Sequence, residues 1–411
     1  MALLSRPLKS VLLVPLLVPL LALLTLAGCA TPPPSLVNPQ TLLHDDHFGP
    51  PTTPVATPDQ VFAVSPAMRS FLYGNSDFLR LSRGEGARQA LLDALYSRRL
   101  LKLEYEASMT RNASEAFDAR SGNCLSLVIM TAAFARELGL PVRLQSVLLD
   151  ESWSRSGDLY FVAGHVNLSL GTGSLMNNVR TFSLEPDMMT VDFVSADELK
   201  GQRSIAIDEA TVVAMYMNNR AAEMLNDGHV QDAYWWARAA MLAQPRYFAS
   251  YNTLAVIYRR HGESPLAEAA LRQVLQREPA NQQALSNLTL VLRDQGRFAE
   301  ADKTLAQLRE LQPYPPFYYF DRGVAAMKRG EYQAARDDFQ KELDRSAYYH
   351  EFHFWIALAD YGLGDFNDAH KHLALAVENS TTTKEHNVYA AKLSWLDAHK
   401  PAKTNLQNTH W

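Results

Sequence analysis

The amino-acid sequence predicts a two-part protein, an α+β globular domain followed by an all-α solenoid. Two observations predict this architecture: apolar residues with helical and then strand-like spacing up to about residue 207, and a 34-residue period after it. A chain of 411 residues is also too long for one small hydrophobic core. The predicted segments are a leader (1–28), a proline-rich linker (29–60), the α+β domain (61–207), the solenoid (208–399) and a tail (400–411).

The leader has the pattern of a lipoprotein signal peptide. Arg6 and Lys9 precede an apolar run from Val11 to Ala27, and the run ends in the lipobox sequence Leu-Ala-Gly-Cys at Cys29. In such a signal the cysteine thiol takes a diacylglycerol before cleavage. We therefore expect the mature chain to begin at Cys29 and to be held at a membrane by its acyl chains.

A transmembrane anchor is the alternative interpretation of the leader, because the apolar run is marginally long enough to span a bilayer. Pro15 and Pro19 interrupt the run, and an anchor does not require small residues before a cysteine, so the lipobox is favoured. By resemblance to lipoproteins of Gram-negative bacteria, Ala30 after the cysteine implies the outer membrane, with the protein facing the periplasm.

Charge and cysteine content narrow the functions that the chain can have. The net charge is −5, and it becomes −7 when the leader with Arg6 and Lys9 is removed, so no nucleic-acid partner is expected. Of the two cysteines, only Cys124 would remain as a free thiol after lipidation of Cys29. It can form neither an internal disulfide nor a cysteine-based zinc site alone. It is either a reactive thiol or a small buried residue.

Two histidine-containing runs raise the question of metal binding. The linker is rich in proline and threonine and predicts an extended spacer, in which the side chains of His44-Asp45-Asp46-His47 are expected to be solvated rather than to bind metal. His350 and His353 lack the His-Glu-x-x-His pattern of helical zinc sites, and the repeat register already explains His353 as a core position. The sequence therefore predicts neither a metal site nor a cofactor.

The α+β domain is predicted from a change in apolar spacing. Helical spacing is clearest at 87–95 and returns from Cys124 to Glu137, where Gly139 and Pro141 end the pattern. Strand-like runs follow, with polar turns at about 150–158 and 171–178 between them, as expected for an antiparallel sheet. The strand-like runs are 142–149, 159–170, 181–184 and 190–194.

After about residue 208, glycines and alanines each recur every 34 residues. Glycine permits the left-handed conformation that ends the first helix of a pair, and alanine lets two helices approach closely. The pattern resembles the tetratricopeptide repeat (TPR), which implies antiparallel helix pairs and a concave face for a protein or peptide partner. The glycines are Gly228, Gly262, Gly296, Gly330 and Gly364, the alanines Ala233, Ala267, Ala301, Ala335 and Ala369. The repeats are expected to begin near 214, 248, 282, 316 and 350, with a capping helix at about 384–398.

Three residues with catalytic potential follow one another in the α+β domain. The Gly-Asn-Cys sequence places the thiol of Cys124 at a helix start, where free N–H groups and the helix dipole favour a thiolate and can hold an oxyanion. His165 and Asp192 lie in strand-like runs, at positions that strand propensity does not explain. Together the three form a nucleophile, its base and the group that orients the base. Alternatively, His165 and Asp192 are hydrogen-bonded polar residues of the core.

This order resembles the transglutaminase-like group of the papain-like superfamily over residues 105–195. The Thr-x-x-Ala-x-Glu sequence at 110–115 and the Gly-Leu-Pro-Val-Arg sequence that begins at Gly139 add to the resemblance. The resemblance implies a papain/transglutaminase-like fold, with Cys124 as nucleophile, His165 as general base and Asp192 as the orienting acid.

The sequence departs from the family pattern at two places. Val166 stands where tryptophan often follows the family's histidine, and the Asp-Pro usual after the third strand is missing, which leaves Asp187 as an alternative to Asp192. The favoured interpretation is a lipid-anchored, periplasmic cysteine enzyme that acts on amide bonds, with repeats that recruit a protein substrate or partner. Hydrolysis by a peptidase or amidase and amine cross-linking both remain open. The alternative is a non-catalytic scaffold or assembly lipoprotein whose first domain only binds.

Overall fold

The computed structural model describes residues 38–97, 99–106, 109–156, 159–172, 187–193, 202–347, 349–380 and 383–399. The leader, Cys29 with its lipobox, the predicted strand at 181–184 and the tail at 400–411 lie outside these residues. Within the described part of the chain, no helix is long and apolar enough to cross a membrane.

The α+β domain begins with helices whose first turns are fixed by capping residues. The side chain of Ser65 accepts a hydrogen bond from the N–H of Met68, and that of Asn75 accepts from the N–H groups of Asp77 and Phe78. These helices contribute buried apolar side chains to the main core. They are α1 (Pro58–Val61), α2 (Pro66–Gly74), α3 (Ser76–Glu85) and α4 (Ala87–Tyr96).

A short parallel ribbon leads into the central helix of the domain. Two-residue strands pair, Glu104 with Ser121 and Tyr105 with Gly122, and the central helix begins two residues later. This helix is the one predicted from the sequence, and almost every residue in it is buried. The elements are β1 (Glu104–Tyr105), α5 (Ala113–Ala119), β2 (Ser121–Gly122) and α6 (Cys124–Glu137).

A four-stranded antiparallel sheet, in the order β5-β4-β3-β6, packs against α6. The prediction of a turn at about 150–158 is wrong for most of these residues, because strand β3 continues to Ser156. Pairing is interrupted between Val147 and Ser152 and then resumes, so β3 continues through the polar segment. The last strand was not predicted, because it has only five residues and does not show a clear alternation of apolar and polar residues. The strands are β3 (Val142–Ser156), β4 (Leu159–Gly171), β5 (Met188–Val191) and β6 (Arg203–Ile207).

The C-terminal part is a solenoid of five antiparallel helix pairs and a final helix. Each of the five periodic glycines has a positive φ, between 73° and 90°, just after the first helix of its pair, as the sequence predicted. The pairs are α7 (Glu209–Asn226) with α8 (Val230–Ala243), α9 (Ala249–Arg260) with α10 (Ser264–Arg277), α11 (Gln282–Asp294) with α12 (Phe298–Leu311), α13 (Tyr318–Lys328) with α14 (Tyr332–Leu343), and α15 (His350–Leu363) with α16 (Phe366–Glu378). The final helix is α17 (Thr383–His399).

The described part of the predicted linker packs against the solenoid instead of forming an extended spacer. Phe48 is buried and stacks on Tyr234 of α8 with ring centroids 4.0 Å apart, and Leu42 is also buried. The Tyr258 hydroxyl donates to the Leu42 carbonyl (2.7 Å) and the Trp235 indole N–H to the Gly49 carbonyl (2.7 Å). The spacer prediction is wrong for this segment because two apolar side chains and a few well-placed donors suffice to anchor it. We call residues 39–52 the strap.

Candidate active site

The thiol of Cys124 stands at the N-terminal end of the central helix. Cys124 is the first residue of α6 and is half-buried. As the first helical residue, it has a backbone N–H with no partner carbonyl inside the helix. That group and the helix dipole are available to a negative charge that forms beside the sulfur.

A buried hydrogen-bond network fixes the turn that leads into α6. Asn123 caps the helix by accepting from the N–H of Ser126 (2.9 Å), and its side-chain amide donates to the Thr110 hydroxyl (2.8 Å). The Ser126 hydroxyl donates to the Asn123 side-chain oxygen (2.9 Å) and accepts from the N–H of Arg111 (2.8 Å). A Cβ on Gly122 would lie 2.6 Å from the Cβ of Ser126, so only glycine fits there. The network holds the helix start in one conformation.

His165 lies on β4, at the point where pairing with β3 is interrupted. Its Cα partner is Val147, the last paired residue before the register shift, and the residue is buried, with 5% of its surface exposed. Irregularities of this kind re-aim side chains next to active sites. His165 and Asn167 are two residues apart on the strand and therefore share one face of it.

Asp192 comes directly after β5 and contacts His165. The imidazole Nε2–H donates to Asp192 Oδ1 (2.7 Å), and the side-chain amide of Asn167 donates to Oδ2 (2.8 Å). The Tyr96 hydroxyl donates to the Asp192 backbone carbonyl (2.8 Å). Because Nε2 is bound to the carboxylate, Nδ1 is the nitrogen that can face Cys124, the other group that raises the pKa of the ring.

Opposing effects act on the charge of His165. Burial lowers the pKa of the imidazole, but hydrogen bonds to Asp192 and Cys124, together with the charges of both, outweigh burial and raise the pKa from 6.5 to about 9. At neutral pH the ring is therefore an imidazolium between a carboxylate and a sulfur. A cation in that position stabilises negative charge that develops beside it during a reaction.

Asp187, the alternative third residue, contacts a different group. Its carboxylate accepts from Arg88 Nη2 (2.9 Å), its backbone carbonyl accepts from Arg88 Nη1 (2.8 Å), and its side chain is 76% exposed. The structure thus brings Cys124, His165 and Asp192 together and leaves Asp187 outside the cluster.

The first solenoid helix, α7, is hydrogen-bonded to the segment that leads into the start of α6. Glu223 of α7 accepts a hydrogen bond from the N–H of Thr110 (2.7 Å), and its other oxygen accepts from Arg220 (2.7 Å). Burial raises the pKa of Glu223, although both donors oppose this effect. Since Thr110 also accepts from Asn123, hydrogen bonds connect α7 to the helix start that carries Cys124.

Three supporting residues, Asn167, Tyr96 and Glu223, were not found from the sequence. Asn167 had a signal, because residues two apart on a strand share a face and His165 was already a candidate. Tyr96 and Glu223 are distant in sequence from the groups they contact, and their local patterns are those of ordinary helices.

The histidines of α15 are part of the solenoid interior. His350 Nδ1 is 3.0 Å from the Tyr389 hydroxyl, and His353 lies between the Ala347 carbonyl (Nε2, 2.9 Å) and His372 (3.0 Å between the Nδ1 atoms). Burial lowers the pKa of His353, and it lowers that of His372 to about 4. These rings are neutral core groups at neutral pH.

The helix pairs, with left-handed glycines at a 34-residue period, define a TPR solenoid, a module for protein–protein interaction. Profiles of the tetratricopeptide-repeat family match residues 259–317 and 290–350, which confirms the repeat prediction. A comparison with curated proteins finds no match.

Solved TPR structures are similar to part of the chain. PilF of Pseudomonas aeruginosa shares 18% identity, over 46% of this chain and 87% of its own, with a TM-score of 0.28. A thermophilic TPR protein of Thermus thermophilus shares 16%, over 44% and 99%, with a TM-score of 0.29. YrrB, described as a TPR protein with an unusual peptide-binding site, shares 15%, over 44% and 92%, with a TM-score of 0.24.

Proposed function

We propose that the chain is a lipid-anchored cysteine enzyme of transglutaminase-like type that acts on amide bonds, with TPR repeats that recruit its protein substrate or partner. The observation that carries the proposal is the convergence of Cys124, His165 and Asp192 from a helix start, a strand and the end of the next strand. If the three residues had separate structural roles, the buried imidazole would not need to interact with both a thiol and a carboxylate.

The arrangement suits acyl transfer in two steps. The thiolate sulfur of Cys124 attacks the amide carbonyl carbon, and the oxyanion that forms is held at the N-terminus of α6. The His165 imidazolium gives its proton to the amine nitrogen as the C–N bond breaks, which leaves a thioester. Water or a primary amine then attacks the thioester carbonyl carbon and gives a proton back to His165. The C–S bond breaks and the Cys124 thiolate is regenerated, so hydrolysis and cross-linking share the same residues. Asp192 holds the ring throughout.

Covalent trapping tests the catalytic proposal. The full chain is incubated with an electrophilic acyl probe at neutral pH, and labelling is followed by intact-protein mass spectrometry. We expect Cys124→Ala to abolish labelling, His165→Ala to slow it strongly and Asp192→Ala to slow it less, because Asp192 orients the ring without transferring a proton. Asp187→Ala is the matched control, since this carboxylate contacts Arg88 and not the imidazole.

Two outcomes of this experiment would count against the proposal. Equal labelling of wild type, His165→Ala and Asp192→Ala would mean that the thiol is not activated. Labelling that fell as much in Asp187→Ala as in Asp192→Ala would mean that the geometry does not explain reactivity. Either outcome would favour the alternative of a binding scaffold, which the match of the solenoid to an interaction module supports independently.

We also propose lipidation of Cys29 and attachment to the outer membrane, facing the periplasm. The support is the lipobox sequence with Ala30 after the cysteine. Metabolic labelling with a clickable fatty acid is expected to tag the wild type and not Cys29→Ser, while Cys124→Ser, the matched control, keeps the tag. A tag that survives in Cys29→Ser would overturn the assignment.

Protein recruitment by the repeats has an exposed aromatic patch as its candidate contact. Tyr314 and Tyr318 are 52% and 37% exposed, and the Arg322 guanidinium lies 5.7 Å from the Tyr318 ring centroid. A photo-crosslinking amino acid at position 318 is expected to give a discrete adduct in cells. The same amino acid at Tyr73, 56% exposed on α2, is the control, and equal cross-linking at both positions would contradict a role for the patch.

A further inference from the structure

A cluster of metal-ligand side chains lies on the strap, apart from the cysteine site. His44, Asp46 and His47 each offer one ligand atom, and these three atoms lie within 4.8 Å of one another. Two imidazoles and one carboxylate form a ligand set that suits zinc and related divalent transition metals. The three residues are close together in the sequence, but the side chains that position them belong to the solenoid.

The ring of His47 is oriented as a metal-bound imidazole is. Its Nδ1 lies 2.6 Å from Oε1 of Glu263, the residue just before α10, and its Nε2 points toward the cluster, 3.8 Å from Asp46 Oδ2. A histidine that binds metal through one nitrogen almost always donates its other N–H to a carboxylate or carbonyl, which fixes the tautomer and makes the ligand nitrogen a better donor. Glu263 provides that acceptor here.

Within the part of the chain that the structure describes, the protein neighbours of the Glu263 carboxylate use only one of its two oxygens. Oε1 is shared between His47 and His261, whose Nδ1 is 3.5 Å away, and Oε2 is buried without a hydrogen-bond partner among the described residues. A buried carboxylate oxygen without a hydrogen-bond donor is poorly compensated. A divalent cation bound to His44, Asp46 and His47 would balance the charges of Asp46 and Glu263 together.

The strap holds its ligands in place through contacts with rigid helices. Asp45 points toward the solenoid, where Oδ1 accepts from the Tyr234 hydroxyl (2.7 Å) and from Arg238 Nε (2.8 Å). The Tyr258 hydroxyl fixes the chain at the Leu42 carbonyl. With Asp45 anchored in this way, the neighbouring Asp46 is left on the side of the histidines. Such support is what a preorganised ligand set requires.

We propose that His44, Asp46 and His47 bind one divalent transition-metal ion, with zinc as the representative, and that Glu263 is the carboxylate partner of His47. Zinc–nitrogen distances of about 2.0–2.1 Å place tetrahedral ligand atoms about 3.4 Å apart. The three ligand atoms lie within 4.8 Å of one another, so side-chain rotation would have to draw them together around an ion, and the exposure of Asp46 and His47 would leave a fourth position to water. Through the contact of His47 with Glu263, the ion would also stabilise the position of the strap against the repeats.

Zinc titration of the full chain tests this site. Isothermal titration calorimetry is done on Cys124→Ala protein, so that the thiol does not compete. One ion per chain is expected. His44→Ala and His47→Ala should each weaken binding at least tenfold, and Glu263→Gln by about 10–100-fold. His370→Ala is the matched control, because His370 has the same 37% side-chain exposure as His47 and lies 3.1 Å from a carboxylate, that of Asp397, outside the cluster.

Thermal unfolding of the same proteins gives a second measurement that does not depend on heat of binding. Zinc is expected to raise Tm in the Cys124→Ala protein and in its His370→Ala derivative, and not in the His44→Ala or His47→Ala derivatives, whose circular dichroism spectra report whether they are folded. The proposal is overturned if no zinc binds, if binding is unchanged in His47→Ala, or if His370→Ala loses as much affinity as His47→Ala.

Discussion

Replacing Asp192 by asparagine should lower the pKa of His165. The rise from 6.5 to about 9 corresponds to about 3 kcal/mol in favour of the imidazolium, at about 1.4 kcal/mol per pKa unit. Asp192 contributes a 2.7 Å hydrogen bond and a negative charge, whereas burial opposes the charged ring. Asp192→Asn keeps the shape but removes the charge. We expect the pKa to fall well below 9, because only Cys124 then offsets the effect of burial.

Nuclear magnetic resonance of protein with ¹⁵N-labelled histidine rings measures this change between pH 5 and 10, with His165→Gln to assign the signal. Because the folded pKa is raised, protonation of His165 stabilises the fold fully below about pH 6.5, and this stabilisation is lost as the pH rises through about 9. The pH dependence of urea unfolding in that window should therefore weaken in Asp192→Asn. A midpoint that stayed near 9 in Asp192→Asn, or that moved equally in Asp187→Asn, would refute the reasoning.

The remaining predictions concern stability and support of the site. Gly296→Val, at a φ of +73°, and Ala301→Val, at a fully buried contact, should each lower the free energy of urea unfolding by about 1–3 kcal/mol, and full tolerance of both would contradict the assigned repeat register. Phe48→Ala should lower it by about 3–5 kcal/mol, whereas a freely extended strap would show almost no change. Glu223→Ala should cost about 1–3 kcal/mol by leaving the Thr110 N–H unpaired and should slow thiol labelling, and unaltered labelling would mean that the hydrogen bond does not position the site.

The solenoid was predictable from the sequence because its signal is repeated. Each repeat needs a residue with positive φ at the same position. Glycine therefore recurs five times at the same spacing, as at Gly228 and Gly296. The start of α6 was predictable for a local reason, since Asn123 caps the helix with its own side chain. In both cases the stabilising contact lies within a few residues of the position predicted.

The strap and the support of the site were not predictable because their contacts are long-range. Phe48 and Leu42 are too few to form an apolar pattern, and the Tyr234 ring that covers Phe48 lies almost two hundred residues away in the chain. The register shift at Val147, opposite His165, depends on how two strands pair and leaves no mark in either strand alone. A sequence pattern indicates which side chains of a segment are buried. It does not indicate which distant residues they pack against.

The hydrogen bonds around the start of α6 connect the two predicted domains. Glu223 belongs to the first solenoid helix, yet it accepts from the N–H of Thr110, whose hydroxyl in turn accepts from Asn123, the cap of the helix that begins at Cys124. A truncation that ended at about residue 208 would remove Glu223 and leave a buried N–H unpaired next to the site. Loss of reactivity in such a truncated domain would therefore reflect a missing support and would not count against catalysis. For the same reason, a partner that shifted the first repeat would act on the position of the thiol through Thr110.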